Sequence, residues 1–253
     1  MKRLTPFALV AIFLITGCRP GDLPPNQVHS PDDIPGRMIG VMNGTSAHRF
    51  IEDGFRHETA GAEVLFAMLL SGAIDAAVME RVTAERLMSG NRNITLLSEP
   101  LIEYDLRIAV ARENVQLLNA VNSALATLAG NGTLSSLHDK YFLGSDFTLA
   151  LPETEENHSS YLRVAVPHNF PPFAYTDGYG ELTGLDIDVA RAVFNILGIE
   201  MQIIALDHDE LITAVWFGRA DLALGFTPND ANEEFVNFSN PYAQSTQAII
   251  VRR

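Results

Sequence analysis

The apolar residues of this chain fall into strand-length runs that alternate with helical periods, and the rhythm starts twice. The first series predicts strands at 38–42, 74–79, 94–97 and 106–111, with helices at 46–52, 63–70 and 80–88 between them. Two further helices, 115–128 and 134–141, are separated by Gly130-Asn131-Gly132, a helix stop followed by a start. A proline-bearing, acidic stretch over 143–160 interrupts the pattern. The second series then predicts a strand at 162–166 and a hairpin at 174–182 around Asp177-Gly178-Tyr179-Gly180. A helix at 186–197, a strand at 201–206, a helix at 210–217 and strands at 221–224 and 247–251 complete it. Alternation of this kind predicts an α/β protein with two lobes of comparable size.

The first residues read as an address. Lys2 and Arg3 precede the apolar run Phe7–Thr16, and small residues lead into Cys18, so 1–17 is expected to be a secretion signal. Its ending resembles the lipobox of bacterial lipoproteins, which implies lipid attachment at Cys18. Prolines at 20, 24, 25, 31 and 35 mark 18–36 as an extended tether, with the folded part beginning near Arg37. Phe7–Thr16 is far shorter than the roughly 20 residues of a spanning helix, so membrane contact is expected through the anchor only. With 17 basic against 31 acidic residues, net charge −14, and no basic stripe, nucleic acid is excluded as a partner. Cys18 is the sole cysteine and the seven histidines lack paired spacing, so no disulfide, metal or cofactor is expected. No G-x-S-x-G, H-E-x-x-H or phosphate-cradling glycine loop occurs, which argues against an enzyme.

Longer stretches carry a family resemblance. Leu162-Arg-Val-Ala-Val-Pro-His-Asn-Phe-Pro-Pro-Phe-Ala-Tyr175 resembles the opening of the family 3 extracellular solute-binding proteins, receptors of ATP-driven amino-acid importers. Gly184–Arg191, Gly218–Leu224 and Asn237–Tyr242 follow that family's first lobe in order. Ile39–Ala47, Gly72–Val78, Glu99–Leu101 and Asn131–Leu134 resemble its second lobe and closing helices. The resemblance implies a two-lobed type II periplasmic-binding-protein fold with a central cleft, here with its lobes in circularly permuted order. The implied boundaries are 37–104 for the second lobe, 105–112 for a hinge strand, and 113–143 for helices docking on the first lobe. A permutation linker at 144–160, the first lobe at 161–246 and a hinge strand at 247–253 follow. One of the two crossovers is expected to be interrupted, with Val251 beside Arg37. A fragment of two tandem receptors is the alternative reading of the same order.

The resemblance also implies a site for a small zwitterionic or cationic, amino-acid-like or amine ligand. Phe170 matches the aromatic that stacks on the ligand, while Phe173 is expected in the core. Asn43, Thr45 and Ser46, between a strand and a helix, match the donors for an anionic group, and the same residue types serve simple capping. Glu80 matches the acid that takes an ammonium, with capping of the following helix as the plainer role. Gly225, Phe226 and Thr227 match the loop at the ligand carboxylate, and Asn232 stands where the family carries an arginine; Arg81 is a weak substitute. His208 and His168 are further candidate contacts, and Asp186 and Asp188 read as helix-capping acids. The implied function is an extracytoplasmic, lipid-anchored monomeric receptor delivering its ligand to an ABC transporter permease. A ligand-sensing partner of a membrane receptor would use the same cleft. A cyclohexadienyl-dehydratase-like enzyme is disfavoured, since Thr83 stands where the catalytic glutamate is expected.

Overall fold

A computed structural model describes residues 26–42, 47, 50–51, 55–59, 61–151, 161–226 and 233–253. In chain order the first elements are β1 (Ile39–Met42), β2 (Arg56–Thr59), α1 (Ala62–Ser71), β3 (Ala76–Glu80), α2 (Arg81–Met88), β4 (Ile94–Leu96) and β5 (Ile102–Ala111). Two helices follow, α3 (Val115–Gly130) and α4 (Thr133–His138), the latter running into a π-turn over 139–143. After them come β6 (Tyr161–Pro167), β7 (Asn169–Phe170), β8 (Ala174–Thr176), β9 (Leu182–Thr183) and α5 (Leu185–Leu197). The chain closes with β10 (Glu200–Leu206), α6 (Leu211–Trp216), β11 (Leu222–Phe226) and β12 (Val236–Arg252).

Nine strands form one mixed sheet in the order β10-β6-β11-β5-β12-β3-β1-β2, with β4 pairing β12, while β7-β8-β9 make a small separate sheet. Parallel pairing holds within each half, β6 with β10 and β11 on one side and β1 with β2 and β3 on the other. The halves are joined by two long antiparallel strands, β5 and β12. β12 begins against Ala111, at the end of β5 that pairs with β11, and reaches Ala76 of β3 near its own end. Its register shifts around Pro241, which lacks the N–H a ladder requires.

Alternation along the buried strands sends successive side chains to opposite faces. On one face a continuous core runs through both halves, from Leu65, Leu69 and Met79 to Leu125, Ile187 and Phe194. α3 and α4 pack against α5 on that face. The other face is filled separately, by Leu211, Ala214 and Val215 of α6 over Ala165 and Ala223, and by Val28, Ile34 and Ile51 over Val41, Val78 and Ile249.

Three expectations are corrected. Residues 26–36 are not a tether: Val28 and Ile34 are buried against β1, because the prolines of this stretch are interleaved with apolar anchors that a free linker would lack. The crossover expected to be interrupted is intact, since β12 runs unbroken between the halves; Val251 pairs with Ala76 and Thr95, not with Arg37. The stretch read as linker from 144 onward begins with Phe147 and Leu149 packed on the main core. The signal at 1–17, Cys18 and the linker residues 152–160 lie outside the described residues. Among the described residues no helix is long and apolar enough to cross a membrane.

Candidate functional site

Parallel strands in an open α/β sheet present their carboxyl ends to one edge, where ligands bind. Here β1 and β3 run antiparallel to β6, β10 and β11, so their carboxyl ends, at Met42 and Glu80 on one side and at Pro167, Leu206 and Phe226 on the other, face each other across the junction of the halves. A cavity of about 180 Å³ opens there, lined by Met42 from one half and by His168, Phe170, Leu206, His208 and Asp209 among others from the second. Larger grooves of about 810 and 410 Å³ run along β5 and β12. Their side chains are taken up by one another, as in Arg107 to Asp105 at 3.1 Å and Gln244 to Asp105 at 3.1 Å, so the smaller cavity is the better ligand site.

Phe170 is 5% exposed at the cavity wall. Its ring lies on Phe173 with centroids 4.8 Å apart and meets His208 edge-on at 5.4 Å. Phe173 is fully buried behind it. His208 Nε2 lies 3.0 Å from the Gly225 carbonyl, and because a carbonyl only accepts, that nitrogen carries the proton. His168 is held likewise, Nδ1 lying 3.0 Å from the Leu206 carbonyl and 3.6 Å from Asp207. Gly225 has φ 91°, and a Cβ there would sit 3.3 Å from Asp186 Oδ2, so glycine alone aims this carbonyl at His208 without strain. Phe226 follows it, its backbone paired with Arg107. The two halves also touch directly: Thr83 Oγ1 of α2 donates to the Pro171 carbonyl at 2.8 Å, beside Phe170.

Glu80 does not line this cavity. It makes no capping hydrogen bond to α2; its carboxylate turns to the long strands, accepting from Tyr104 Oη, Ser245 Oγ and, at 2.6 Å, Gln247 Nε2. Burial pushes its pKa up to about 7, opposed by the Ser245 and Tyr104 hydroxyls and reinforced by the charge of Asp186. Arg81 turns to Glu85 at 3.9 Å. Asp186 and Asp188 do not cap α5 with their side chains either. Asp186 accepts from Tyr242 Oη at 2.7 Å, and burial raises it to about 7 as well. Asp188 accepts from Lys140 and Tyr141, both at 2.7 Å, tying α5 to the π-turn. Asn43, Thr45, Ser46, Thr227 and Asn232 lie outside the described residues.

Sequence reasoning missed the partners of the two buried acids. Tyr104, Tyr242, Ser245 and Gln247 sit on strands whose polar alternation hides them. The available signal was a carboxylate, Asp186, on the apolar face of a helix.

Residues 162–253 match the sequence model of the bacterial extracellular solute-binding proteins, family 3. The virulence sensor protein BvgS of Bordetella bronchiseptica is 23% identical over 239 residues, in one alignment covering 88% of this chain and 19% of that protein. The L-cystine-binding protein TcyJ of Escherichia coli K12 is 30% identical over 130 residues, 48% of this chain and 47% of that protein. This chain thus spans about a fifth of the first relative and about half of the second. Among solved structures, an ancestral arginine-binding protein bound to arginine is 35% identical over 34% of this chain and 39% of that one, with a TM-score of 0.33.

Proposed function

We propose that this chain, whose residues 162–253 match the model of the bacterial extracellular solute-binding proteins of family 3, is an extracytoplasmic receptor for a small amino-acid-like or amine ligand. The observation that carries the reading is the cavity at the carboxyl ends of the strands, walled by Phe170 and His208 from one half and Met42 from the other. A flat ring at that wall offers apolar and cation-π contact, and Asp207 and Asp209 at the same cavity favour a ligand that brings positive charge. Gly225 and Phe226 at the end of β11, with Thr227 and Asn232 further along the sequence and Asn43, Thr45 and Ser46 following β1 in the sequence, are the other residues proposed to contact it. Glu80 is assigned to the junction of the halves rather than to the ligand. Lipid attachment at Cys18 and delivery to an ABC permease belong to the same proposal. A Cys18→Ser chain then leaves the membrane fraction, and unchanged retention removes the anchor.

A second reading, a ligand sensor coupled to a membrane receptor, is favoured by the alignment with BvgS, which runs through both halves in the order found here. Catalysis is not proposed. The relatives named above are binding and sensor proteins, and the Thr83 hydroxyl is already engaged with Pro171.

The test is a thermal-shift screen with L-cystine, L-arginine, other amino acids and simple amines. A ligand present at about 100 times its Kd adds about 2.7 kcal/mol. Phe170→Ala is expected to weaken the responding ligand about tenfold, the order of one aromatic contact. No response from the wild-type protein to the whole panel rejects the amino-acid-like class. Equal affinity in the variant removes Phe170 from the site.

A further inference from the structure

Each half contributes one buried carboxylate to the junction, and both grip the strands that join the halves. Glu80 is 2% exposed and Asp186 0%. Glu80 holds β5 through Tyr104 and β12 through Ser245 and Gln247. Asp186 holds β12 through Tyr242, whose oxygen in turn accepts from the Gly225 N–H at 3.2 Å.

Their hydrogen-bond supply is unequal. Three donors converge on Glu80, whereas Asp186 has one, and its Oδ2 is buried without a partner among the described residues. A buried carboxylate with a bare oxygen is poorly held as an anion but well held as an acid, while a carboxylate with three donors is the better anion. We propose that Asp186 and Glu80 form a proton-responsive brace at the junction, with Asp186 carrying the proton and Glu80 the charge. Losing that proton puts two like charges into one buried cluster and loosens the grip on β5 and β12. The groups facing Glu80 are Tyr104, Ser245, Gln247 and Asp186; those facing Asp186 are Tyr242, the Gly225 backbone and Glu80. Among the described residues Arg81 is paired with Glu85, and both Lys140 and Arg191 with Asp188.

Burial raises both acids to about 7, well above their unfolded values, so the native state binds more protons than the unfolded chain in the window below that. Stability therefore rises as pH falls from about 8 toward 5, each extra bound proton changing the unfolding constant up to tenfold per pH unit. Urea unfolding of the full protein between pH 8 and pH 6 is compared for wild type, Asp186→Asn and Glu80→Gln. Asp186→Asn is expected to flatten the slope by about one proton, and hydrogen exchange in β5 and β12, corrected for intrinsic rates, to lose its pH dependence. A slope identical to wild type in Asp186→Asn overturns the brace. Should the variants not fold, carboxyl carbon NMR of the wild-type protein decides. Two buried carboxyl signals titrating near neutrality support the proposal, and carboxylates fully ionised throughout the window overturn it.

Discussion

The half built from 161–226 has helices over both faces of its strands, α5 and α3 on one side and α6 on the other. The half built from 39–88 has α1 and α2 on one face, and the buried side chains of Val28, Ile34, Ala47, Ile51 and Leu97 on the other. The contrast recurs at close approaches of the backbone. Gly184 has φ 129°, and a Cβ there would meet the Phe173 carbonyl oxygen at 2.1 Å. At Gly40 the close contacts would be the side-chain ends of Ile74 and Leu65, at 2.6 and 2.7 Å, with the Ala76 carbonyl at an ordinary 3.9 Å. It recurs again at the junction, where Glu80 is oversupplied with donors and Asp186 undersupplied. One half is fixed by backbone geometry and the other by side chains that can adjust.

Substitutions that cut into this contrast are graded. Gly184→Ala has the largest expected effect, on the order of 4 kcal/mol in urea unfolding, because neither backbone strain nor a carbonyl clash can be relieved by rotating a side chain. A near-neutral result breaks the comparison at its strongest point. Tyr242→Phe strips Asp186 of its donor and Gly225 N–H of its acceptor, an expected loss of about 2–3 kcal/mol. Gly40→Ala is expected to cost about 1–2 kcal/mol, the range for modest overpacking, as Ile74 and Leu65 shift. Tyr104→Phe leaves Glu80 two donors, and about 1 kcal/mol is expected. Equal losses for the two tyrosine variants would show that the halves share one uniform polar cluster.

The smallest effect belongs to Asp221, which accepts from the Arg163 backbone N–H at 2.7 Å and its guanidinium at 2.9 Å. Burial raises this carboxyl, but the hydrogen bonds and charge of Arg163 outweigh it and leave it below the usual range. Its contribution is thus present above the ordinary carboxylate pKa and lost as pH falls through the depressed one. With the pair near solvent, Asp221→Asn is expected to cost about 0.5 kcal/mol, and only above that acid range.

How far the sequence was readable follows from which faces of the strands are apolar. β1, β3, β6 and β10 were read to within two residues, since runs such as Leu162–Val166 leave little ambiguity. α1, α3 and α5 were read equally well from their helical periods and the glycines beyond them. β12 was recognised only over its last residues. Its first eleven include Asn237, Asn240, Pro241, Gln244, Ser245 and Thr246, because that stretch faces solvent and the polar junction rather than a core. β5 was shortened for the same reason, Glu103 and Asp105 alternating with Tyr104 and Leu106. β2, Arg56-His-Glu-Thr59, has no apolar residue and was not expected at all. At the candidate site, Phe170 and His208 came from the family resemblance alone, and both line the cavity that follows β6 and β10. The turn of Glu80 away from the cavity was not, because direction at a strand's end is set by partners more than 160 residues away.

The two joining strands make each half a lender to the other. β5 leaves the half that holds β1 and β3 to complete the one that holds β6 and β11, and β12 returns the favour. On the ribosome this imposes a wait. Glu80 is made early, yet its partner Gln247 is 167 residues further on, which at about 5–20 residues per second is roughly 10–30 s of synthesis. Until β12 arrives, β3 has an open edge carrying Ala77, Val78 and Met79, a strand surface able to pair with other chains. The half translated first is therefore the half finished last, and protection of that exposed edge during synthesis is a requirement written into the strand order.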